Sequence, residues 1–222
     1  TSLWCIGGDG WSCDIDFGGI DHVLYTGEKL NMLVLDTEVY SNTGGQKSKG
    51  TPMGSVHKFE AAGKASKKKD LGQIFMNMGT VYVASVCLYA NAPQTLKALL
   101  EAEAYPGPAV VLAYSPCLEH GIEGSGPNWV AQAKLAVDSG YWPLYRYNPL
   151  LAKDGKNPLQ IDGPRAPKVP VADFIAHENR FQRLVRENNP RSVVLHKQLQ
   201  DDVSARLEKL VAAASVEPPK KE

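Results

Sequence analysis

Two short stretches place small and oxygen-bearing residues where strand patterns end. The first is Gly8-Asp9-Gly10-Trp11, directly after the apolar start Leu3 to Ile6. The second is Thr37-Glu38-Val39-Tyr40-Ser41-Asn42, directly after Asn31 to Leu35. Asp9 offers the hard carboxylate oxygen that Mg²⁺ prefers, and its flanking glycines let the backbone approach a ligand closely. Thr37 follows 28 residues later, past the next strand. In a parallel sheet both loops emerge at one edge, where loops converge and helix starts present free N–H groups to anions. The Thr37 hydroxyl, the Val39 carbonyl and the Asp9 carboxylate are then candidate Mg²⁺ ligands, with two diphosphate oxygens and a water completing the octahedron. Asn42 adds an amide that both donates and accepts. Gly-Asp-Gly is also an ordinary turn sequence, and Thr37 and Ser41 also suit capping or turn roles. It is the pair of loops that favours a metal-bridged phosphate ligand.

The elements needed to hold these loops are legible as alternating patterns. Leu3 to Ile6 reads as a strand, Gly19 to Tyr25 as a helix ended by Gly27, and Asn31 to Leu35 as a strand covered on both faces. Asp70 to Met78 predicts a helix stopped by Gly79, Val81 to Val86 a strand, and Asn91 with Pro93 the start of a helix reaching Ala104. Ala109 to Ala113 is the next buried strand, Trp129 to Ser139 is helical, and Trp142 to Tyr147 closes the series as a strand. This alternation predicts an α/β fold with a largely parallel sheet flanked by helices. Between Tyr40 and Lys69 lies an aperiodic stretch too long for a mere connector, with seven lysines ending in Lys67-Lys68-Lys69. Those lysines read first as solvated surface and second as an anion-docking patch.

The expected organisation is an N-terminally truncated α/β domain over residues 1–150, an extended connection over 151–170, a helical extension over 171–216 and a tail or linker over 217–222. The strand pattern at the very start, without an initiator methionine, suggests a piece of a longer polypeptide. The 222 residues carry 24 Lys and Arg against 24 Asp and Glu, so no global field favours nucleic acid or an anionic membrane. No apolar run reaches the roughly 18 residues that span a bilayer, and no signal peptide opens the chain, so the expectation is a soluble, cytoplasmic or otherwise intracellular protein. Cys5, Cys13, Cys87 and Cys117 lie far apart, so neither a zinc site nor a complete cluster site can be built from them alone. For Cys5, Cys13 and Cys87 a small buried hydrophobe is the favoured role.

Gly8 to Trp11, Gly18-Gly-Ile-Asp-His-Val23, Asp36 to Gln46 and Thr51-Pro52 together resemble the thiamine diphosphate domain of the pyruvate:ferredoxin (flavodoxin) oxidoreductase family. So do Lys69-Asp-Leu-Gly72, Tyr82 to Val86, Tyr114-Ser-Pro-Cys-Leu-Glu-His-Gly121 and Gly140 to Pro149. The resemblance runs from the first residue to about Asp162 and continues more weakly through the helical tail.

That resemblance implies the thiamine-diphosphate-binding fold. It assigns cofactor contacts to Gly8, Asp9, Gly10, Trp11, Thr37, Glu38, Val39, Tyr40, Ser41 and Asn42, and Mg²⁺ to Asp9, Thr37 and the Val39 carbonyl. Asn42 matches the family asparagine near the reacting carbon, where its amide orients substrate or stabilises developing charge. Cys117 matches one of four ligands of a 4Fe-4S cluster, the other three lying outside this chain. By composition alone Cys117 is an incidental thiol, and His22, His57 and His120 are packing or surface residues.

The implied reaction is oxidative decarboxylation of pyruvate to acetyl-CoA and carbon dioxide, with coenzyme A as co-substrate and electrons passing to ferredoxin or flavodoxin. The implied partners are the remaining domains or subunits, which carry the glutamate that activates the cofactor, in a homodimer when complete. The chain alone is expected to be inactive. The alternatives are a related 2-oxoacid oxidoreductase, a reductase fusion, or a noncatalytic assembly module that keeps the fold.

Overall fold

A computed structural model describes residues 2–124 and 126–217. The expected tail beyond Glu217 lies outside the described residues. Strand β1 (Trp4–Gly8) leads through one π-helical turn, Trp11–Ile15, into helix α1 (Phe17–Thr26) and strand β2 (Asn31–Asp36). No named helix or strand intervenes before α2 (Leu71–Met76), after which β3 (Tyr82–Val86), α3 (Ala92–Ala104), β4 (Ala109–Tyr114) and α4 (Gly126–Asp138) alternate as the sequence predicts. The chain ends with β5 (Tyr145–Tyr147), β6 (Leu159–Ile161), α5 (Val171–Ile175), α6 (Asn179–Arg186) and α7 (Arg191–Ala214).

The six strands form one sheet in the order β1-β2-β4-β3-β5-β6. The first four in that order are parallel, whereas β5 and β6 are antiparallel to their neighbours. Side chains alternate between the faces, as the period of a strand requires. Met32, Val34, Val83, Val110 and Leu112 enter the larger core with α1, α2 and α4 to α7. Tyr82, Ala84, Val86, Ala109 and Val111 enter a smaller core with Ala98 and Ala102 of α3. Asn91 caps α3 by accepting from the Gln94 amide, with Pro93 in the first turn where its missing N–H costs nothing.

Several sequence expectations are corrected. The stretch 151–170 is more than an extended connection, because β6 pairs with β5 and a 3₁₀ turn spans Pro149–Asp154. Arg146 fastens this edge: its guanidinium donates to both Asp162 oxygens, at 2.8 and 2.9 Å, and to Glu101 on α3 at 2.6 Å. The expected strand from Trp142 begins only at Tyr145, because the Trp142 indole turns inward to donate to the Val86 carbonyl at 3.0 Å. The helices beyond residue 170 share the main core, with Phe174 and Phe181 fully buried. Among the described residues no helix is long and apolar enough to cross a membrane.

Candidate functional site

Three adjacent parallel strands, β1, β2 and β4, end together. Gly8 pairs with Leu35 and Asp36 pairs with Tyr114, so Asp9, Thr37 and Ser115 leave the sheet side by side. The convergence follows from β4 inserting beside β2 ahead of β3 in the sheet order. It brings Cys117 to loops 76 residues or more away in sequence.

At that edge the Thr37 hydroxyl lies 3.0 Å from Asp9 Oδ1 and 3.1 Å from the Val39 carbonyl oxygen. Ser41 donates its own proton to Thr37 Oγ1 at 2.9 Å, and the Cys117 thiol donates to Ser41 Oγ at 3.3 Å. Thr37 therefore has one proton for two acceptors, which leaves a cluster rich in oxygen lone pairs and poor in donors. Cis oxygen ligands of an octahedral Mg²⁺ with Mg–O of about 2.1 Å stand about 3.0 Å apart. Both the spacing and the donor chemistry fit that cation. The second Asp9 oxygen accepts from Ser48 Oγ, which fixes the carboxylate's rotation.

A cleft of about 680 Å³ opens over this cluster, a volume in the range of small-molecule sites. Its walls include Gly8, Asp9, Gly10, Trp11, Thr37, Val39, Tyr40, Ser41, Asn42 and Cys117. The sequence-predicted residues are thus brought together, with one exception. Gly10 is required here: a Cβ on it would stand 2.3 Å from the Tyr40 ring, which closes the cleft floor. Trp11 is braced by donating its indole N–H to Asp16 at 2.9 Å. Asn42 is exposed at the wall, and Trp129 and Glu119 complete the rim.

The exception is Glu38, expected to touch the cofactor. Its backbone is left-handed, with φ at 60°, and its side chain turns into the core with no exposure. There the carboxylate accepts from the Tyr141 hydroxyl at 2.8 Å and from Arg180 Nη2 at 2.7 Å, with Lys68 Nζ at 3.2 Å. The Lys68 and Arg180 charges hold Glu38 down at about 2 against the burial that would raise it. Lys68 also bonds Asp36 at 2.7 Å, yet burial beside Asp9 and Glu38 pushes that carboxyl up to about 7. Lys64 and Lys68 are therefore not solvated surface. Lys64 Nζ donates to the carbonyls of Lys49 and Thr51, and burial with the nearby Lys68 charge lowers it to about 8.

Arg180 carries a structural role that the sequence did not mark, while His120 takes the packing role expected of it. His120 is fully buried and held well below its ordinary range by burial and by Arg180, so it is neutral. Its Nε2 lies 2.7 Å from the Thr37 carbonyl, which can only accept, so Nε2 carries the proton. Cys13 and Cys87 are buried thiols raised to about 12 and about 11, chiefly by burial, consistent with packing roles. Cys5 is half-buried, and Cys117 alone of the four lines the cleft.

The family described as thiamine pyrophosphate enzyme, C-terminal TPP binding domain, matches residues 1–113. The chain is 55% identical over 206 residues to a pyruvate-flavodoxin oxidoreductase of Nostoc sp., an alignment covering 92% of this chain and 17% of the relative. It is 51% identical over 207 residues to the pyruvate:ferredoxin oxidoreductase of Moorella thermoacetica, covering 93% and 17% respectively. The chain thus spans 17% of the length of these curated relatives. Among solved structures it aligns with a 2-oxoglutarate:ferredoxin oxidoreductase from Magnetococcus marinus at 21% identity and TM-score 0.48, covering 51% of this chain and 40% of that one.

Proposed function

The chain belongs to the thiamine pyrophosphate enzyme family, as its C-terminal TPP-binding domain, and on that premise we propose that it is the thiamine-diphosphate part of a pyruvate:ferredoxin or flavodoxin oxidoreductase. The assembled enzyme would convert pyruvate and coenzyme A to acetyl-CoA and carbon dioxide, passing electrons to ferredoxin or flavodoxin. Further domains or subunits, in a homodimer, would supply the rest of the active site. The identity of over 50% to the two oxidoreductases supports the substrate class.

One observation carries the reading of this chain: the Thr37 hydroxyl between Asp9 Oδ1 and the Val39 carbonyl, at 3.0 and 3.1 Å. These three oxygens would hold Mg²⁺, whose charge would offset that of a diphosphate held by Gly8 to Trp11, Thr37 and Val39 to Asn42. Ser48 keeps Asp9 aimed at the cleft, and His120 keeps the Thr37 peptide in place. Bound thiamine diphosphate would supply the carbon nucleophile and the electron sink that decarboxylation needs. Asn42, exposed on the cleft wall, would hold a substrate oxygen as charge develops on it. Cys117 would donate its thiolate to a 4Fe-4S cluster whose other ligands come from outside this chain. Its position in the same cleft supports a cluster close to the cofactor.

The test is Asp9→Ala in the assembled enzyme. Pyruvate oxidation and Mg²⁺-dependent thiamine diphosphate binding should both be lost, and normal oxidation would overturn the assignment. Cys117→Ala should remove the iron of one cluster, whereas unchanged iron would support a noncatalytic module instead.

A further inference from the structure

The short segment His177 to Arg180, at the start of α6, reaches two of the three loops that build the cleft, those after β2 and β4. Its backbone joins the Cys117 loop: the Asn179 amide donates to the Gly121 carbonyl at 3.0 Å, and the Glu123 amide donates to the His177 carbonyl at 3.2 Å. Gly121 adopts φ 61°, and a Cβ there would meet Asn179 at 2.5 Å, so the two strands of chain pass in contact. The Arg180 carbonyl accepts from the Val56 amide at 2.7 Å, fastening the long stretch that follows Asn42.

The side chains of the same segment reach beneath the Thr37 loop. Arg180 is 3% exposed and donates Nη2 to Glu38 and Nε to Glu178, both at 2.7 Å. Glu178 accepts from Gln132 at 3.0 Å and from Tyr114 at 3.3 Å, and His120, whose Nδ1 lies 3.8 Å from it, holds the Thr37 carbonyl. Glu38 stands between the two residues that supply Thr37 Oγ1 and the Val39 carbonyl. A left-handed conformation at a residue with a side chain is strained and persists only where the surroundings impose it. Here the anchored carboxylate imposes it, and the turn sets the Thr37 hydroxyl against Asp9 and the Val39 carbonyl against that hydroxyl.

We infer that Arg180 is a positioning residue for the cofactor cleft, holding the Glu38 turn so that the Thr37 hydroxyl stands between Asp9 and the Val39 carbonyl, and tying that turn to the Cys117 loop. The C-terminal helices are thus part of the site's support. Arginine suits this role because its rigid fork engages two carboxylates at once, which a lysine ammonium does with poorer geometry. The inference rests on the cofactor reading proposed above for Asp9, Thr37 and Val39.

Hydrogen–deuterium exchange on the assembled enzyme, read at peptides of this chain, tests it, with Mn²⁺-thiamine diphosphate titration alongside. Arg180→Met should speed amide exchange across 37–42 and 117–123 by about ten-fold or more, the worth of a charged hydrogen bond. Exchange in β3 and β4 should stay unchanged, and the apparent Kd should rise by about the same factor. Arg180→Lys, which keeps the charge, should restore most of the effect and leave about a three-fold change. Loops that exchange as in the wild type, or exchange that rises equally in β3 and β4, would overturn the proposal. Should Arg180→Met fail to fold, Arg180→Lys decides: faster exchange confined to the loops supports the role and unchanged loops refute it. Asp9→Asn separates the two readings. If it leaves Mn²⁺-thiamine diphosphate binding intact, the cofactor assignment fails, while the exchange data still decide what Arg180 holds.

Discussion

The Cys117 thiol donates to the Ser41 hydroxyl across 3.3 Å, joining residues 76 apart in sequence. Because Ser41 in turn donates to Thr37 Oγ1, one hydrogen-bonded line runs from the β4 loop through the β2 loop to Asp9 of the β1 loop. Ser41→Ala cuts that line while leaving the Asp9 and Thr37 contact in place. It should cost about 1 kcal/mol of local order, loosen the hold on Cys117 and speed its alkylation several-fold, measured by mass spectrometry of the labelled peptide. An alkylation rate equal to that of the wild type would mean that Ser41 does not restrain the thiol.

Thr37→Val keeps the shape of the side chain and removes its oxygen. Asp9 would keep its bond from Ser48, so folding should lose no more than about 1 kcal/mol. Divalent-cation-dependent binding of thiamine diphosphate should fall by about ten-fold or more, because a ligand oxygen is gone. Calorimetric titration with Mg²⁺ and the cofactor reads this directly. Equal affinity in the variant would remove Thr37 from the ligand set.

How much of this was legible in the sequence depends on whether the signal is local. The alternating apolar runs at Asn31 to Leu35, Val81 to Val86 and Ala109 to Ala113 correspond to β2, β3 and β4, since a strand covered on both faces leaves a continuous apolar mark. The parallel sheet then brings Asp9 and Thr37 to one edge, as their spacing implied. Glu38 was misread because its neighbours line the cleft while its own φ of 60° turns it inward, and no local pattern announces that reversal. Lys68 sits in a run of three lysines that looks like solvent-facing charge, yet its partners Asp36 and Glu38 are 30 or more residues upstream. Arg180 meets Glu38 across 142 residues, a separation that helical spacing in α6 cannot reveal.

The antiparallel edge should be separable from the site. Arg146 joins β5 to Asp162 and to Glu101 of α3, on a strand that β3 separates from β4 and the cleft. Both carboxylates keep some solvent contact, so Arg146→Met should cost about 2 kcal/mol, below the range for a fully buried pair. Urea unfolding should show a lower midpoint with an unchanged slope, while cofactor affinity under native conditions stays that of the wild type. A loss of affinity at full folding would show that this edge reaches the cleft.

Three histidines lowered by burial should weaken the fold in acid well before most carboxylates titrate. His57, 7% exposed, is lowered from 6.5 to about 3 by burial and by the Arg180 charge. His120 and His196 are also lowered, each chiefly by burial. Above pH 6.5 these histidines are neutral in the folded and unfolded chain alike, so they contribute no slope. As pH falls below 6.5 the unfolded chain takes protons that the folded chain refuses, so stability declines. The limit is about 1.4 kcal/mol per pH unit for each such histidine. Glu38 acts in the same direction lower down: its stabilisation is complete above 4.5 and is lost as pH falls toward about 2. Asp36, raised from 3.8 to about 7 by burial, acts the opposite way, because between those values the folded chain holds a proton that the unfolded chain releases. Urea midpoints between pH 7 and pH 5 therefore report the sum, and a histidine variant isolates one part of it. His57→Gln should flatten that slope by up to about 1.4 kcal/mol per pH unit. Parallel curves for variant and wild type would show that His57 is protonated in the folded chain after all.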